Sequence, residues 1–290
     1  MQKDYCKNNI MNLLFILPAL TGTLFFVGIP IICSFLLSFT SWDLLNEIKF
    51  VGLENYRYIF TEKIFTQVIA NTIVYAISTT FIAIIIPLIL ADIINKKIKG
   101  AEFFKTAFFI PFITPAVVVA IIWSRIFDPN IGFINMILGP DLKWLYDTRL
   151  AMPVLIFISA WKLIGYNVVL FLTGLASLNK NIYEAANIDG ANGYQTLILI
   201  TLPLLKPMIF FVTLVTAITS FQAFDLVYML TNGGPQNSTS VMVYSVYKYA
   251  FEYFDIGKSC AIAYLLFIII FIMILFQNKI KKIISNKKQA

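Results

Sequence analysis

No familiar catalytic set can be assembled from this sequence. With no histidine among its 290 residues, neither a Ser/His/Asp nor a Cys/His arrangement is available. The acidic residues stand mostly between apolar runs, with no paired arrangement inside them. Cys6, Cys33 and Cys260 are scattered, share no metal-ligand spacing, and read as small packing residues. Gly257-Lys258-Ser259 imitates the end of a phosphate-binding loop, but Glu252 occupies the place of the required first glycine. What remains is the chemistry of binding. Trp161, Tyr166, Asn167, Phe221 and Gln222 offer the aromatic faces and amide groups that suit a ring with apolar faces and a rim of hydroxyls. The bland alternative is that such aromatics face lipid or fill a core. Lys162 falls in the middle of an apolar run, where an uncompensated charge costs about 2.5 to 3.5 kcal/mol. It needs water or a partner, so it either lines a path or braces the bundle against carbonyls or a neighbouring subunit.

The elements that must carry these residues are membrane spans. The chain is 59% hydrophobic and 13% charged, with a mean hydropathy of +0.83, far too apolar for the surface of a soluble protein of this size. A net charge of +7 without histidine raises nucleic acid as a partner. The positive charge, however, lies in short tracts between apolar runs, and the basic stripe of a nucleic-acid-binding domain is missing. Six segments reach the roughly 20 residues that a helix needs to cross a bilayer: 13–39, 65–94, 103–127, 152–176, 207–229 and 259–276. The first follows Lys3 and Lys7 as a signal peptide does, but it runs on without an Ala-x-Ala cleavage pattern and is expected to remain a span. The pattern predicts an all-α integral membrane protein, a single domain over 1–290.

Lysine and arginine set the direction. Thirteen fall on one side of these spans and eight on the other, with Lys162 left inside. The richer side includes Lys96, Lys97, Lys99 and Lys105 and the C-terminal tail, so both termini are expected to be cytoplasmic. Asp92 and Lys96 at the inner end of the second span read as a helix-end ion pair. The aromatic stretch with Tyr244, Tyr247, Tyr249 and Phe251 reads as a short interfacial helix.

One cytoplasmic loop is longer than a simple connection requires. Residues 177–206 have helical composition, and Asn181 and Glu184 have the spacing of a capping box. Ala185 and Ala186 allow close approach to another surface, Asp189-Gly190 breaks the helix, and a run over 196–202 meets Pro203 and Pro207 before the fifth span. The stretch Glu184-Ala185-Ala186-Asn187-Ile188-Asp189-Gly190-Ala191, followed by Ile200-Thr201-Leu202-Pro203 and Pro207, resembles the EAA motif of permease subunits of binding-protein-dependent ABC importers. Weaker echoes of the maltose-type, carbohydrate-uptake branch extend over most of the chain. They include residues 50–56, Asn71-Thr72, Pro111, Pro115, Trp123, Gly165, Phe224, Asp225 and Gly233-Gly234-Pro235.

The resemblance implies a bacterial plasma-membrane subunit that pairs with a second, different permease. Two copies of a cytoplasmic ATPase would hold ATP-Mg, and a solute-binding lipoprotein would deliver a sugar from outside. Glu184, Ala185, Ala186, Asp189, Gly190, Ala191 and Pro203 would form the coupling segment. Trp161, Lys162, Tyr166, Asn167, Phe221, Gln222, Phe224 and Asp225 would lie on the substrate path. The chain itself is expected to bind no cofactor or metal and to catalyse nothing. Glycerol 3-phosphate or another polar solute is the alternative cargo. A secondary transporter is the alternative mechanism, but the internal repeat or ionisable relay it requires is not seen.

Overall fold

The computed structural model describes residues 15–96, 100–139 and 142–286, with side chains up to residue 281. Cys6, the start of the first apolar run at residues 13 and 14, and Lys3, Lys7, Lys97, Lys99, Lys287 and Lys288 of the charge count lie outside the described residues. So does the side chain of Lys282. The described chain is mostly helical, as the long apolar runs require in a medium where every backbone polar group must be satisfied internally. In chain order the elements are α1 (Phe15–Leu37), β1 (Thr40–Ser41), β2 (Lys49–Phe50), α2 (Glu54–Thr61), α3 (Lys63–Asn95), α4 (Ala101–Ile113), α5 (Ala116–Ile126) and α6 (Phe133–Leu138). They continue with α7 (Ala151–Ala176), α8 (Lys180–Ile188), α9 (Gly193–Phe221), α10 (Asp225–Leu230), α11 (Met242–Tyr247) and α12 (Ile256–Asn286). Five of these are long and apolar enough to cross a membrane, namely α1, α3, α7, α9 and Ile256–Lys281 within α12.

The third predicted span is not one straight helix. It is α4 and α5, bent by 100° at Thr114 and Pro115. Proline disfavours the helical region for the residue before it, and Thr114 has the extended φ −70° and ψ 131°. The fifth span also differs from expectation. It begins at Gly193 instead of 207 and ends at Phe221 instead of 229. Asn192 and Gln195 start it with reciprocal side-chain to backbone bonds of 2.9 Å. A π-helical stretch over Thr196–Thr201, in which the Leu202 N–H reaches the Leu197 carbonyl, leads into Pro203. Such local widening lets membrane helices carry prolines that would otherwise break them. The predicted 30-residue loop is therefore a shorter excursion around α8.

The chain divides into two compact units. The first holds α1, the β1–β2 ladder (Thr40 opposite Phe50), α2 and the beginning of α12. Asn55, buried, donates to the carbonyls of Ser38 and Thr40 and fixes the chain after α1. Gly257 lies against the Thr40 carbonyl, where any Cβ would collide with it. Gly257-Lys258-Ser259 is thus part of a helix and makes no phosphate loop. Lys258 pairs with Asp255 at 2.8 Å and covers the Tyr58 ring. Burial and the Tyr58 hydroxyl beside it push the Tyr249 phenol above its ordinary range.

The second unit holds α3 to α10 and the end of α12. Lipid gives helices no hydrophobic reason to associate, so close backbone approach and interhelical hydrogen bonds must hold them. Gly165 on α7 provides the approach, since a Cβ there would strike the Phe108 carbonyl of α4. Asn167 provides the bonds: its amide donates to the Ala83 carbonyl of α3 and to Thr216 Oγ1 of α9 (3.0 Å), with the residue fully buried. One apolar cluster contains Tyr75, Leu155, Ile158 and Val227, and another Phe171, Leu175, Leu205 and Val212. The Asp92–Lys96 pair closes at 2.7 Å as its spacing predicts. After α5, the Asp128 carboxylate accepts N–H bonds from Asn130 and Ile131, which hold it below the ordinary carboxylate range.

Candidate functional site

A cavity of about 240 Å³ opens in the second unit where α3, the α4–α5 bend, α7 and the break between α9 and α10 converge. The bend places Phe112 and Ala116 on its wall, and the end of α9 at Phe221 brings Gln222, Phe224 and Asp225 to it. Lys162, half-buried, projects from α7, and exposed Asp225 begins α10. Both charges face the same space, yet among the described residues neither makes a salt bridge or a side-chain hydrogen bond. Tyr75 and Ser159 pair their hydroxyls on the buried wall. Two more hydroxyls there, Thr79 Oγ1 and Ser220 Oγ, are buried without a partner. A buried polar atom left unsatisfied costs about 1 to 3 kcal/mol, so such atoms call for water or a ligand. The arrangement presents donors, acceptors and aromatic edges, with one charge of each sign. No group of three metal-ligating side chains occurs among the described residues.

Half of the predicted path residues therefore line this cavity: Lys162, Gln222, Phe224 and Asp225. The other four are placed elsewhere. Trp161 packs edge-on against Trp123 at 5.3 Å. Tyr166 stacks on Phe112 at 4.6 Å, behind the wall. Asn167 spends its amide on helix packing. Phe221 turns to a separate, mostly apolar cavity with Ala76, Thr80, Thr213 and Phe276. Sequence reasoning missed Tyr75, Thr79, Ser159 and Ser220. The available signal was the four-residue spacing of Tyr75 and Thr79 on one face, with Ser159 one turn before Lys162.

The second feature is α8. Its cap is Asn179, whose Oδ1 accepts the Asn181 N–H at 3.0 Å. The expected Asn181/Glu184 box does not form, because Asn181 already lies inside the helix and an N-cap must stand outside it. Gly190, at φ +77°, ends the helix with the Ala191 N–H on the Ala186 carbonyl and the Gly190 N–H on the Asn187 carbonyl. This double closure requires a left-handed residue and explains the glycine. Tyr183 reaches Thr201 at 3.2 Å, and Ala186 is buried on the same side. The close approach at Ala186 is therefore to the chain's own body. Glu184, Ala185 and Asp189 are exposed, Ala191 and Pro203 are half-buried, and Ile188 stands 87% exposed.

A broken span beside a charged cavity, with a capped helix projecting between two spans, matches a known architecture. The model of the family described as binding-protein-dependent transport system inner membrane component matches residues 83–285. The chain belongs to that family. These permeases are membrane subunits of ABC importers and not enzymes, the ATPase being a separate subunit. A probable ABC transporter permease protein of Bacillus subtilis, YurN, is 35% identical to this permease over 285 residues, 95% of this chain and 97% of its own. The multiple sugar-binding transport system permease protein MsmF of Streptococcus mutans is 35% identical, covering 92% and 93% of the two chains. A permease in the solved structure of a bacterial ABC transporter that imports the acidic polysaccharide alginate superposes with a TM-score of 0.85. It covers 98% of this chain and 99% of its own at 21% identity, and shares the fold.

Proposed function

We propose that this permease forms half of the translocation path for a neutral sugar or oligosaccharide, beside a second permease. The observation that carries the reading is the cavity wall. Lys162 and Asp225 balance in charge, and Thr79 and Ser220 hold buried hydroxyls without protein partners. A sugar hydroxyl donates to a carboxylate and accepts from an ammonium, so it satisfies both signs at once. Glycerol 3-phosphate would need an excess of cations, and Asp225 opposes it. Relatives such as MsmF, which is named for sugar transport, support the same class.

In this reading both termini are cytoplasmic, and the surface of α8 around Ile188 docks on one of two ATPases that hold ATP-Mg. A solute-binding lipoprotein delivers cargo on the opposite side. ATP binding moves α8, and the path alternates between two states that differ in their contacts. Removing the two free hydroxyls is the test. Thr79→Val with Ser220→Ala in the assembled transporter should raise the half-saturating sugar concentration about 30-fold, since each of the two lost hydrogen bonds is worth about 1 kcal/mol. Thermal stability should not fall, because both atoms are unpartnered. Uptake assays in vesicles with the binding protein in excess, run with sugars and with glycerol 3-phosphate, read both points. Unchanged sugar kinetics, or uptake of the phosphate alone, would sink the reading.

A further inference from the structure

Along the largely apolar α3, Gln67, Asn71, Tyr75 and Thr79 stand four residues apart. At 1.5 Å per residue their neighbours are about 6 Å apart along the axis, and the row is about 18 Å long. Its two ends belong to different spaces. Tyr75 and Thr79 line the cavity between Lys162 and Asp225. Gln67 and Asn71 line a second cavity of about 400 Å³, together with Thr148, Gln236 and Ser238 and the apolar Ala70, Val74 and Met152.

None of the described residues lining the second cavity is charged. Ser238 Oγ is buried there without a partner. Asn71 spends its amide hydrogens on the carbonyls of Asn237 (2.9 Å) and Ser240 (3.1 Å), which leaves its oxygen as an acceptor. The loop that brings Gln236 and Ser238 is held in place from several directions. Thr239 bonds to Thr231 and the Gly234 carbonyl, the Tyr244 hydroxyl to Asn232, and the Met242 N–H to Thr72 on α3. Gln236 and Asn237 both keep positive φ, +50° and +59°, a conformation that side chains disfavour and that the surrounding bonds must enforce. Amides and hydroxyls on a fixed frame over an apolar patch match the hydroxyl rim and C–H face of a carbohydrate.

We propose that this second cavity is a separate binding site for a neutral carbohydrate at the outer end of the path. The α3 row carries hydroxyl contacts from it to the inner cavity. The proposal rests on the sugar reading above and adds a site to it.

The test is site-specific protection from labelling. Thr148→Cys for the outer cavity and Gln222→Cys for the inner one are made with Cys6→Ala, Cys33→Ala and Cys260→Ala, in the complete transporter in vesicles. A maleimide is applied with a panel of neutral mono- to tetrasaccharides, and uptake of each is measured in parallel. An imported sugar at about twice its Kd should slow labelling at Thr148→Cys about threefold, the factor expected when two-thirds of sites are filled. Adding Gln67→Leu should abolish that protection while protection at Gln222→Cys persists. Protection at Gln222→Cys with none at Thr148→Cys would remove the outer site and leave the sugar path standing. Protection by an imported sugar at neither position would also overturn the outer site. Import of no carbohydrate in the panel would sink the sugar reading and the outer site together.

Discussion

Five residues apart on α7, Lys162 and Asn167 are both polar groups in an apolar span, and their surroundings are opposite. Asn167 is fully buried, and its amide bonds tie α7 to α3 and α9. Lys162 faces a cavity in which hydroxyls on α3 and α9 have no protein partner. The same three helices are locked at one level and left open at the next. A polar residue in a membrane helix is thus not a site by virtue of polarity. What distinguishes the two is whether the protein has already used its hydrogen-bonding capacity.

The comparison can be broken by substitution. The largest effect is expected next to the lock, at Gly165→Ala. The added Cβ meets backbone of α4 and not a side chain that could turn away, so overpacking should cost about 3 kcal/mol or more and reduce the yield of folded protein. Fluorescence-detected size exclusion after heating reads it, and an unchanged melting temperature would deny the close crossing of α4 and α7. Asn167→Leu should cost less, about 1 to 2 kcal/mol, because interhelical bonds in membranes are individually modest. Protein that survives the change should keep the sugar affinity of the parent, and a weaker affinity at unchanged stability would return Asn167 to the path. Lys162→Met should have the smallest effect on stability, which should hold or rise because Lys162 makes no ion pair among the described residues that the change would break. Uptake should nevertheless fall about tenfold, the loss expected for a hydrogen bond to a charged group. Normal uptake kinetics by Lys162→Met would place the cargo elsewhere.

Much of this architecture could be read from the residues because long apolar runs are the direct signature of membrane helices. Hydropathy averages over direction, however, so it could not show that Thr114 and Pro115 turn the third span through 100°. The fifth span hid its start for a related reason. Pro203 and Pro207 look like a boundary, and only the π-helical stretch before them makes the helix continuous from Gly193. In the cavity, Lys162, Gln222 and Asp225 stand out against apolar neighbours. Thr79 and Ser220 do not, because a helical hydroxyl usually bonds a carbonyl three or four residues back, as Thr72 and Thr213 do here. Only the folded structure reveals that these two lack such a partner. The packing role of Asn167 is equally hidden, since its acceptors Ala83 and Thr216 are remote in sequence.

Coupling through α8 is the claim on which the functional account depends, and Gly190→Pro tests it most directly. Proline fixes φ near −65° where the chain needs +77°, and it removes the N–H that bonds the Asn187 carbonyl. The spans should still insert, because the excursion around α8 lies outside them. The transporter is purified through an affinity tag on this permease, the copurified ATPase is quantified, and sugar-stimulated ATP hydrolysis is measured in vesicles. The account predicts that the variant retains its second permease but loses most of the ATPase, or hydrolyses ATP without importing sugar. A full complement of ATPase with normal coupled uptake would contradict it.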